Sequence, residues 1–373
     1  MFDGQKNKIY FITGGGTGGH IYPAVAVADE LLKLNNTKKI YYIGNPNNLE
    51  ASIVKDKDYT FLPVISSGMP RKLGIDFLVW FIKMFFAWLK CCFYIIKYKP
   101  DVIFGTGGYI SAPVLIAGMA MKIPLVMHDC DANPGLVTRK LSPYAKSISI
   151  AFDAAREKLS NKNIYLNGNP IRTEFANLTK EQAKNDLKLQ LDKLTICIMG
   201  GSQGAKTINE ATVNILEKLS KELNLQVIFQ TGKKNYDDVI KNLKEIYTDF
   251  ENDNNIIVRP YFDNMVTVLK ASDIAVSRAG SLSISELCAS GVATIYIPYP
   301  YAAADHQRKN AKSMVEQGAG IYLEDAQTTP ETLLNLIRDL SVDKSKLKQI
   351  QKASLSLAKY DGVQKIVEQI IKE

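Results

Sequence analysis

Short apolar runs that end in glycine and lead into a stretch of helical periodicity recur along this chain. Lys8-Ile9-Tyr10-Phe11-Ile12 runs into Gly14-Gly15-Gly16-Thr17-Gly18-Gly19-His20, and Ile21–Leu34 follows with apolar residues at helical spacing and Pro23 near its start. This pattern predicts a buried parallel strand, a tight turn and a helix. Pro100–Phe104, Gly105-Thr106-Gly107-Gly108-Tyr109 and Ser111–Met121 repeat it, and the strand Pro124–Met127 runs into His128-Asp129-Cys130-Asp131. A turn-rich joint, Asn167-Gly168-Asn169-Pro170, precedes a restart at Leu194–Met199 and Gly200-Gly201-Ser202-Gln203-Gly204-Ala205-Lys206. Further strands are predicted at 225–230, 255–258, 274–276 and 293–297. The alternation predicts an α/β chain with two parallel sheets, a first domain over 1–166 and a second over 167–356. Loops 14–20, 105–109 and 128–135 would converge on one rim of the first sheet. The amphipathic segment 357–373 is expected to pack back onto the first domain.

Residues 73–98 are the densest apolar stretch and hold both tryptophans, Trp80 and Trp88. Asp76, Lys83, Lys90 and Lys97 recur every seven residues, so no charge-free run approaches the roughly twenty residues a spanning helix needs. On a helix those charges form one stripe beside a broad aromatic face. Two readings stay open: a helix packed in the domain with one wet edge, or a helix that dips its aromatics into a lipid interface while its lysines meet anionic headgroups. Arg71, Lys72 and Lys99 flank the segment and favour the second.

The chain has 373 residues, 46% hydrophobic and 23% charged, as expected of a globular protein of about two domains. Its net charge of +8 is unevenly placed. Residues 1–166 hold 20 Lys/Arg against 12 Asp/Glu, and residues 167–373 hold 26 against 26. A basic first half suits an anionic partner, and a membrane surface or phosphorylated lipid fits the apolar helix better than nucleic acid does. The five cysteines form no C-x-x-C pair and fall in apolar runs, which suits small core residues in a reducing compartment. No basic-then-apolar signal segment is legible, so a cytoplasmic location is expected.

Glycine turns opening helices suit anions, because the backbone can approach closely and the helix start presents free N–H groups. The spacing Gly14-x-Gly16-x-x-Gly19 matches a dinucleotide fingerprint, yet the second strand ends in Asn45-Pro46, without the acid that would hold a nicotinamide ribose. Residues 200–207 miss a P-loop by Ala205 in place of glycine, which argues against a nucleoside triphosphatase. His20, one of three histidines, stands where the first turn would receive a substrate.

Taken in order, Gly15-Gly16-Thr17-Gly18-Gly19-His20, Gly107-Gly108-Tyr109, Gly168-Asn169-Pro170-x-Arg172, Gly200-Gly201-Ser202-Gln203-Gly204-Ala205 and Asp305-His306-Gln307-x-x-Asn310-Ala311 resemble the MurG family over essentially the full chain. Those enzymes are the UDP-N-acetylglucosamine:undecaprenyl-pyrophosphoryl-N-acetylmuramoyl-pentapeptide N-acetylglucosaminyltransferases of peptidoglycan synthesis. The resemblance implies a GT-B fold of two facing Rossmann-like domains, with the lipid acceptor on the first and UDP-GlcNAc mainly on the second. It implies inverting transfer without cofactor or metal, by a peripheral protein on the cytoplasmic face of the membrane.

By that resemblance Ser202 and Gln203 would meet the UDP phosphates, and the Phe262 backbone the uracil. Ser281, Leu282, Ser283, Ile284 and Ser285 would wall the nucleotide, and Glu286 would accept from the ribose hydroxyls. Arg172 and Gln307 would complete the donor site, with Thr17, Gly18, Gly19 and Asp131 contributing from the first domain. Gly15, Gly16, Gly107, Gly108 and Tyr109 would hold the acceptor diphosphate. His20 would be the base, because a helix start disfavours the imidazolium, and Asp129 would orient the acceptor or share that role. The family's His-Glu-Gln-Asn is His128-Asp129-Cys130-Asp131 in this chain, which shortens one carboxylate and replaces an amide donor at Asp131. The resulting Asp-x-Asp is read as a coincidence with the metal signature of another transferase fold. A diacylglycerol glycosyltransferase, a UDP-sugar 2-epimerase and a non-catalytic nucleotide-sugar-binding scaffold on the membrane are the rival readings.

Overall fold

In the computed structural model, residues 7–70, 72, 74–201 and 203–373 are described. Ser202, a predicted phosphate contact, lies outside them, as do Arg71 and Leu73 at the start of the apolar segment. The chain forms two compact units, one running to Ile171 and regaining the chain at Asp361–Glu373, the other Arg172–Tyr360.

The first unit is built on a parallel sheet of seven strands: β1 (Lys8–Thr13), β2 (Thr37–Gly44), β3 (Thr60–Pro63), β4 (Val102–Gly105), β5 (Leu125–Asp129), β6 (Ser147–Ile150) and β7 (Ile164–Leu166). Their order is 3-2-1-4-5-6-7, so the winding reverses between β1 and β4. Ligands of open α/β sheets bind at such a reversal, outside the carboxyl ends of the strands. Thr13 and Gly105 are register partners at that edge, and both glycine turns leave from it. The helices include α1 (Gly18–Leu32), α2 (Leu49–Val54), α3 (Ile75–Tyr98), α4 (Ser111–Ala120) and α5 (Leu136–Leu141).

Alternation along β1 sends Tyr10 and Ile12 to one face and Phe11 to the other. The first face is covered by α1 and the final helix, Gly362–Ile371, through Val363, Ile366, Val367 and Ile370. The second is covered by α3, α4 and α5. The joint between the units falls at Ile171–Arg172, later than 166, because Asn169 is fastened inside the first unit by His128 and the Cys130 carbonyl. The last helix starts at Gly362 and not at 357. A methyl at that glycine would lie 2.9 Å from the Asn167 carbonyl oxygen, so the chain turns there against backbone.

The second unit repeats the plan with six parallel strands, β8 (Thr195–Met199), β9 (Gln226–Gln230), β10 (Ile256–Arg259), β11 (Ile274–Ser277), β12 (Ala293–Tyr296) and β13 (Ile321–Tyr322). The order 10-9-8-11-12-13 reverses between β8 and β11. The turn at 200–205 leaves β8, and the segment opening the helix Ser281–Ser290 leaves β11.

Candidate functional site

In the first unit the predicted acceptor glycines form one cluster around His20. Helix α1 begins at Gly18, earlier than the Ile21 start suggested by periodicity, so His20 sits in its first turn and not in the loop before it. Thr17 is the N-cap; its side chain makes no capping bond, and its carbonyl accepts the His20 N–H at 3.1 Å. A methyl at Gly107 would meet the His20 ring at 3.6 Å, and one at Gly108 would meet it at 3.2 Å and the Gly15 carbonyl at 2.6 Å. Both glycines have positive φ, so a side chain at either would strain the backbone and crowd the imidazole. Gly16 also has positive φ and lies against the Tyr109 ring. Thr106 Oγ1 donates to the His20 carbonyl at 2.6 Å and ties the β4 turn to the α1 start.

Glu50 underlies this cluster and is absent from the sequence prediction. It is fully buried on α2, and its carboxylate accepts the Asn45 N–H at 3.0 Å and the Gly16 N–H at 3.4 Å. The sequence search asked for an acid at the end of β2. The acid present stands in the first turn of the next helix and reaches back to brace the turn.

His128 and Asp129 end β5 side by side, both buried. His128 Nε2 lies 3.0 Å from Asn169 Oδ1 and Nδ1 lies 3.1 Å from Ser149 Oγ. The amide oxygen can only accept, so the ring carries its proton on Nε2 and accepts the serine hydroxyl at Nδ1. Burial holds its pKa down at about 4, so the ring is a neutral structural group. Asp129 Oδ1 and Oδ2 accept the N–H groups of Asp131 and Gly135 at 3.2 and 3.1 Å. Burial pushes its carboxyl up to about 7 against the lowering effect of the Thr138 hydroxyl. Asp129 therefore braces the 131–135 turn with both oxygens. Cys130 Sγ donates to the Gly19 carbonyl at 3.1 Å and joins that turn to the α1 start. Asp131, Thr17, Gly18 and Gly19, predicted to meet the donor, all belong to this first-unit cluster.

The same cluster opens onto an apolar groove of about 590 Å³ whose lining runs from His20, Gly108 and Tyr109 to Trp80 and Phe85 of α3. Only the second half of α3 is anchored in the core, through Ala87, Cys91, Tyr94 and Ile95. By length and composition α3 is apolar enough to cross a membrane, yet that half is packed on the sheet. Many of its other apolar side chains are exposed, Ile75 at 82% and Phe86 at 64%, while Phe77, Trp80, Met84 and Trp88 are half-buried. Lys90 and Lys97 lie over the rings of Tyr94 and Phe93.

In the second unit Arg172, Glu286, Gln307 and the Phe262 backbone are already engaged with protein. Arg172 donates to Glu286 at 3.0 Å, and burial raises the Glu286 carboxyl against the opposing pull of that guanidinium. Gln307 Oε1 accepts the N–H groups of Ala279 and Tyr299, so only its amide NH₂ is left to meet a ligand. The Phe262 N–H, predicted to meet uracil, donates to Gln230 Oε1 at 3.0 Å. Ser281 is buried at the start of its helix and its carbonyl accepts from Ser285 Oγ; Leu282 and Ser283 are half-buried beside the buried Ile284. Gln203 is exposed in a turn where Gly201 and Gly204 have positive φ. A methyl on Gly204 would fall 2.1 Å from the Thr231 carbonyl oxygen, so this position admits only glycine. Asn235, another residue the sequence reading missed, donates to the Gln203 carbonyl and pins the turn. His306 contacts the Ala303 carbonyl at the surface, next to Ala304 and Asp305, which are both left-handed.

Two parallel-sheet units, each with a glycine turn at its winding reversal, define a two-unit α/β protein of doubly wound type, and the family models place it among the glycosyltransferases. The chain belongs to glycosyltransferase family 28: residues 10–150 match the family's N-terminal domain and residues 195–370 its C-terminal domain. It is 37% identical over 357 residues to the UDP-N-acetylglucosamine–N-acetylmuramyl-(pentapeptide) pyrophosphoryl-undecaprenol N-acetylglucosamine transferase of Desulforamulus reducens, covering 95% of this chain and 96% of that one. The enzyme of the same description from Halothermothrix orenii is 37% identical over 356 residues, covering 94% and 95%. The crystal structure of Acinetobacter baumannii MurG superposes with a TM-score of 0.80 at 25% identity, covering 98% and 99%.

Proposed function

We propose that this enzyme transfers N-acetylglucosamine from UDP-GlcNAc to the 4-hydroxyl of the muramyl residue of undecaprenyl-pyrophosphoryl-MurNAc-pentapeptide, with inversion and without a metal ion. The observation that carries the reading is His20, held in the first turn of α1 against two glycines at the mouth of an apolar groove. The acceptor oxygen attacks the anomeric carbon as the bond from that carbon to the UDP oxygen breaks, and the electron pair leaves with the β-phosphate. His20 takes the hydroxyl proton as general base from the first turn of α1. Asp129 acts by positioning, because both its oxygens hold the 131–135 turn beside that helix start.

On the donor side, Glu286 accepts from the ribose diol once Arg172 turns toward the diphosphate. Gln307 offers its NH₂ to sugar hydroxyl oxygens. Gln203 and the amides of its turn face the phosphates, and leaving-group charge is stabilised by fixed donors. The basic first unit and the exposed aromatic face of α3 hold the protein peripherally on the cytoplasmic membrane surface, where the acceptor is embedded.

Purified protein supplied with labelled UDP-GlcNAc and the polyprenyl-pyrophosphoryl muramyl-peptide is expected to yield labelled lipid with or without EDTA. Transfer abolished by EDTA overturns the metal-free mechanism. Release of free ManNAc or UDP-ManNAc in place of labelled lipid identifies an epimerase.

A further inference from the structure

The groove beside His20 has chemistry that the sugar-transfer step does not use. Its walls are the aromatic side chains of α3, among them Trp80, Phe81 and Phe85, and the aliphatic side chains Ile116, Leu136 and Val137. Among the described residues, Lys140 is the one lining side chain with a fixed charge, and Ser67 adds a hydroxyl. An open apolar channel of this size in water is unfavourable and marks a binding surface.

The walls are set before any ligand arrives. Trp80 Nε1 donates to the Ser67 carbonyl at 2.9 Å, which fixes the indole plane. Phe77 packs on Trp80 at 5.4 Å between ring centroids, and Phe85 on Trp88 at 5.9 Å. Asn48 Nδ2 donates to the Tyr109 hydroxyl at 3.1 Å and steadies the inner end. A preformed wall lowers the entropy lost on binding.

Continuity identifies the occupant. The cavity's lining joins His20, Gly108 and Tyr109, from the cluster proposed for the acceptor diphosphate, to the α3 aromatics. A ligand with an anionic head and an apolar chain attached directly to it matches that lining. We propose that the groove seats the first isoprene units of the acceptor's lipid chain, so that the enzyme recognises the tail and not the diphospho-sugar alone. Lys140 sits to offset head-group charge where the chain begins. This rests on the transferase reading above and deepens it, by giving the acceptor's hydrocarbon a protein site outside the bilayer.

The test uses the whole protein without vesicles or detergent. Synthetic muramyl-peptide diphosphates carry a geranyl tail, a geranylgeranyl tail or a straight saturated chain of the geranylgeranyl length. With saturating UDP-GlcNAc, the geranylgeranyl acceptor is expected to exceed the geranyl one in kcat/KM by about tenfold or more, mostly through KM. Ala112→Phe fills the groove, and Leu136→Glu places a charge on its rim at a residue already 47% exposed, where folding is not at stake. Both are expected to bring the tail-length ratio down toward one. The chain's only two tryptophans, Trp80 and Trp88, line the groove, so geranylgeranyl diphosphate alone is expected to shift tryptophan emission to the blue.

Wild-type protein with no tail-length preference and no emission shift overturns the assignment, as does a preference that survives both substitutions. A straight chain that performs as well as the geranylgeranyl one shows generic acyl docking and overturns isoprenoid recognition. Absence of transfer to every acceptor, with the emission shift retained, leaves a lipid site standing and counts against the transferase reading instead.

Discussion

The two winding reversals of this enzyme carry sites of opposite construction. In the first unit the surface around His20 is shaped by backbone: Gly15, Gly107 and Gly108 in contact, Glu50 and Asp129 buried beneath as braces for turn amides. In the second, the residues proposed for the donor are side chains already bonded within the protein, Arg172 with Glu286 and Gln307 with two backbone amides, while Gln230 occupies the Phe262 N–H. A backbone-built site is preorganised and changes little on binding. A site of paired side chains must exchange its internal bonds for ligand bonds, so part of its binding energy goes into that exchange. The contrast fits an acceptor that is processed where it lies and a donor that must come and go each turnover.

The contrast breaks most readily at Gly204. Gly204→Ala puts a methyl on a carbonyl oxygen at a positive φ, and it is expected to lower stability by about 3 kcal/mol and abolish UDP binding, checked by thermal melting and calorimetry.

The next effect sharpens the first-unit side. The folded pKa of Asp129 is raised to about 7, so in isolation it favours folding below about pH 4 and loses that contribution as pH rises through 7. His128, lowered to about 4, has the opposite sign: its contribution is present above about 6.5 and lost as pH falls toward 4. Between about 4 and 6.5 the two cancel in the wild type. Asp129→Asn unmasks His128, and denaturant titrations should show stability falling by about 1.4 kcal/mol per pH unit as pH drops across that window.

Glu50→Gln replaces one accepting oxygen by an NH₂ facing a backbone N–H. It is expected to cost about 2 kcal/mol of stability by denaturation, with a larger loss in acceptor kcat/KM than in UDP affinity. Smallest is Glu286→Gln, which keeps the shape, loses the charge for the ribose diol and should weaken UDP-GlcNAc about tenfold by calorimetry, with folding preserved.

Much of the architecture was legible because parallel strands buried on both faces read as continuous apolar runs ending in glycine. β3, β6, β7 and β13 escaped, being two to four residues long; β3, β6 and β13 have no glycine turn to announce them, and the turn after β7 reads as a joint between domains. His20 was legible as a candidate, while its place inside α1 was not, since helix-starting glycines carry no periodicity. Glu50 and Asn235 were illegible for another reason. Their partners, Gly16 and the Gln203 carbonyl, are set by tertiary approach, and nothing local marks a buried acid or amide that reaches back to a turn.

The central claim is tested most directly by following label from UDP-GlcNAc into the polyprenyl-linked muramyl-peptide with wild-type and His20→Ala protein of equal melting temperature. The account predicts transfer by the wild type and a kcat lower by about 10²–10⁴-fold in the variant, with UDP affinity unchanged. Equal turnover by the two proteins contradicts it.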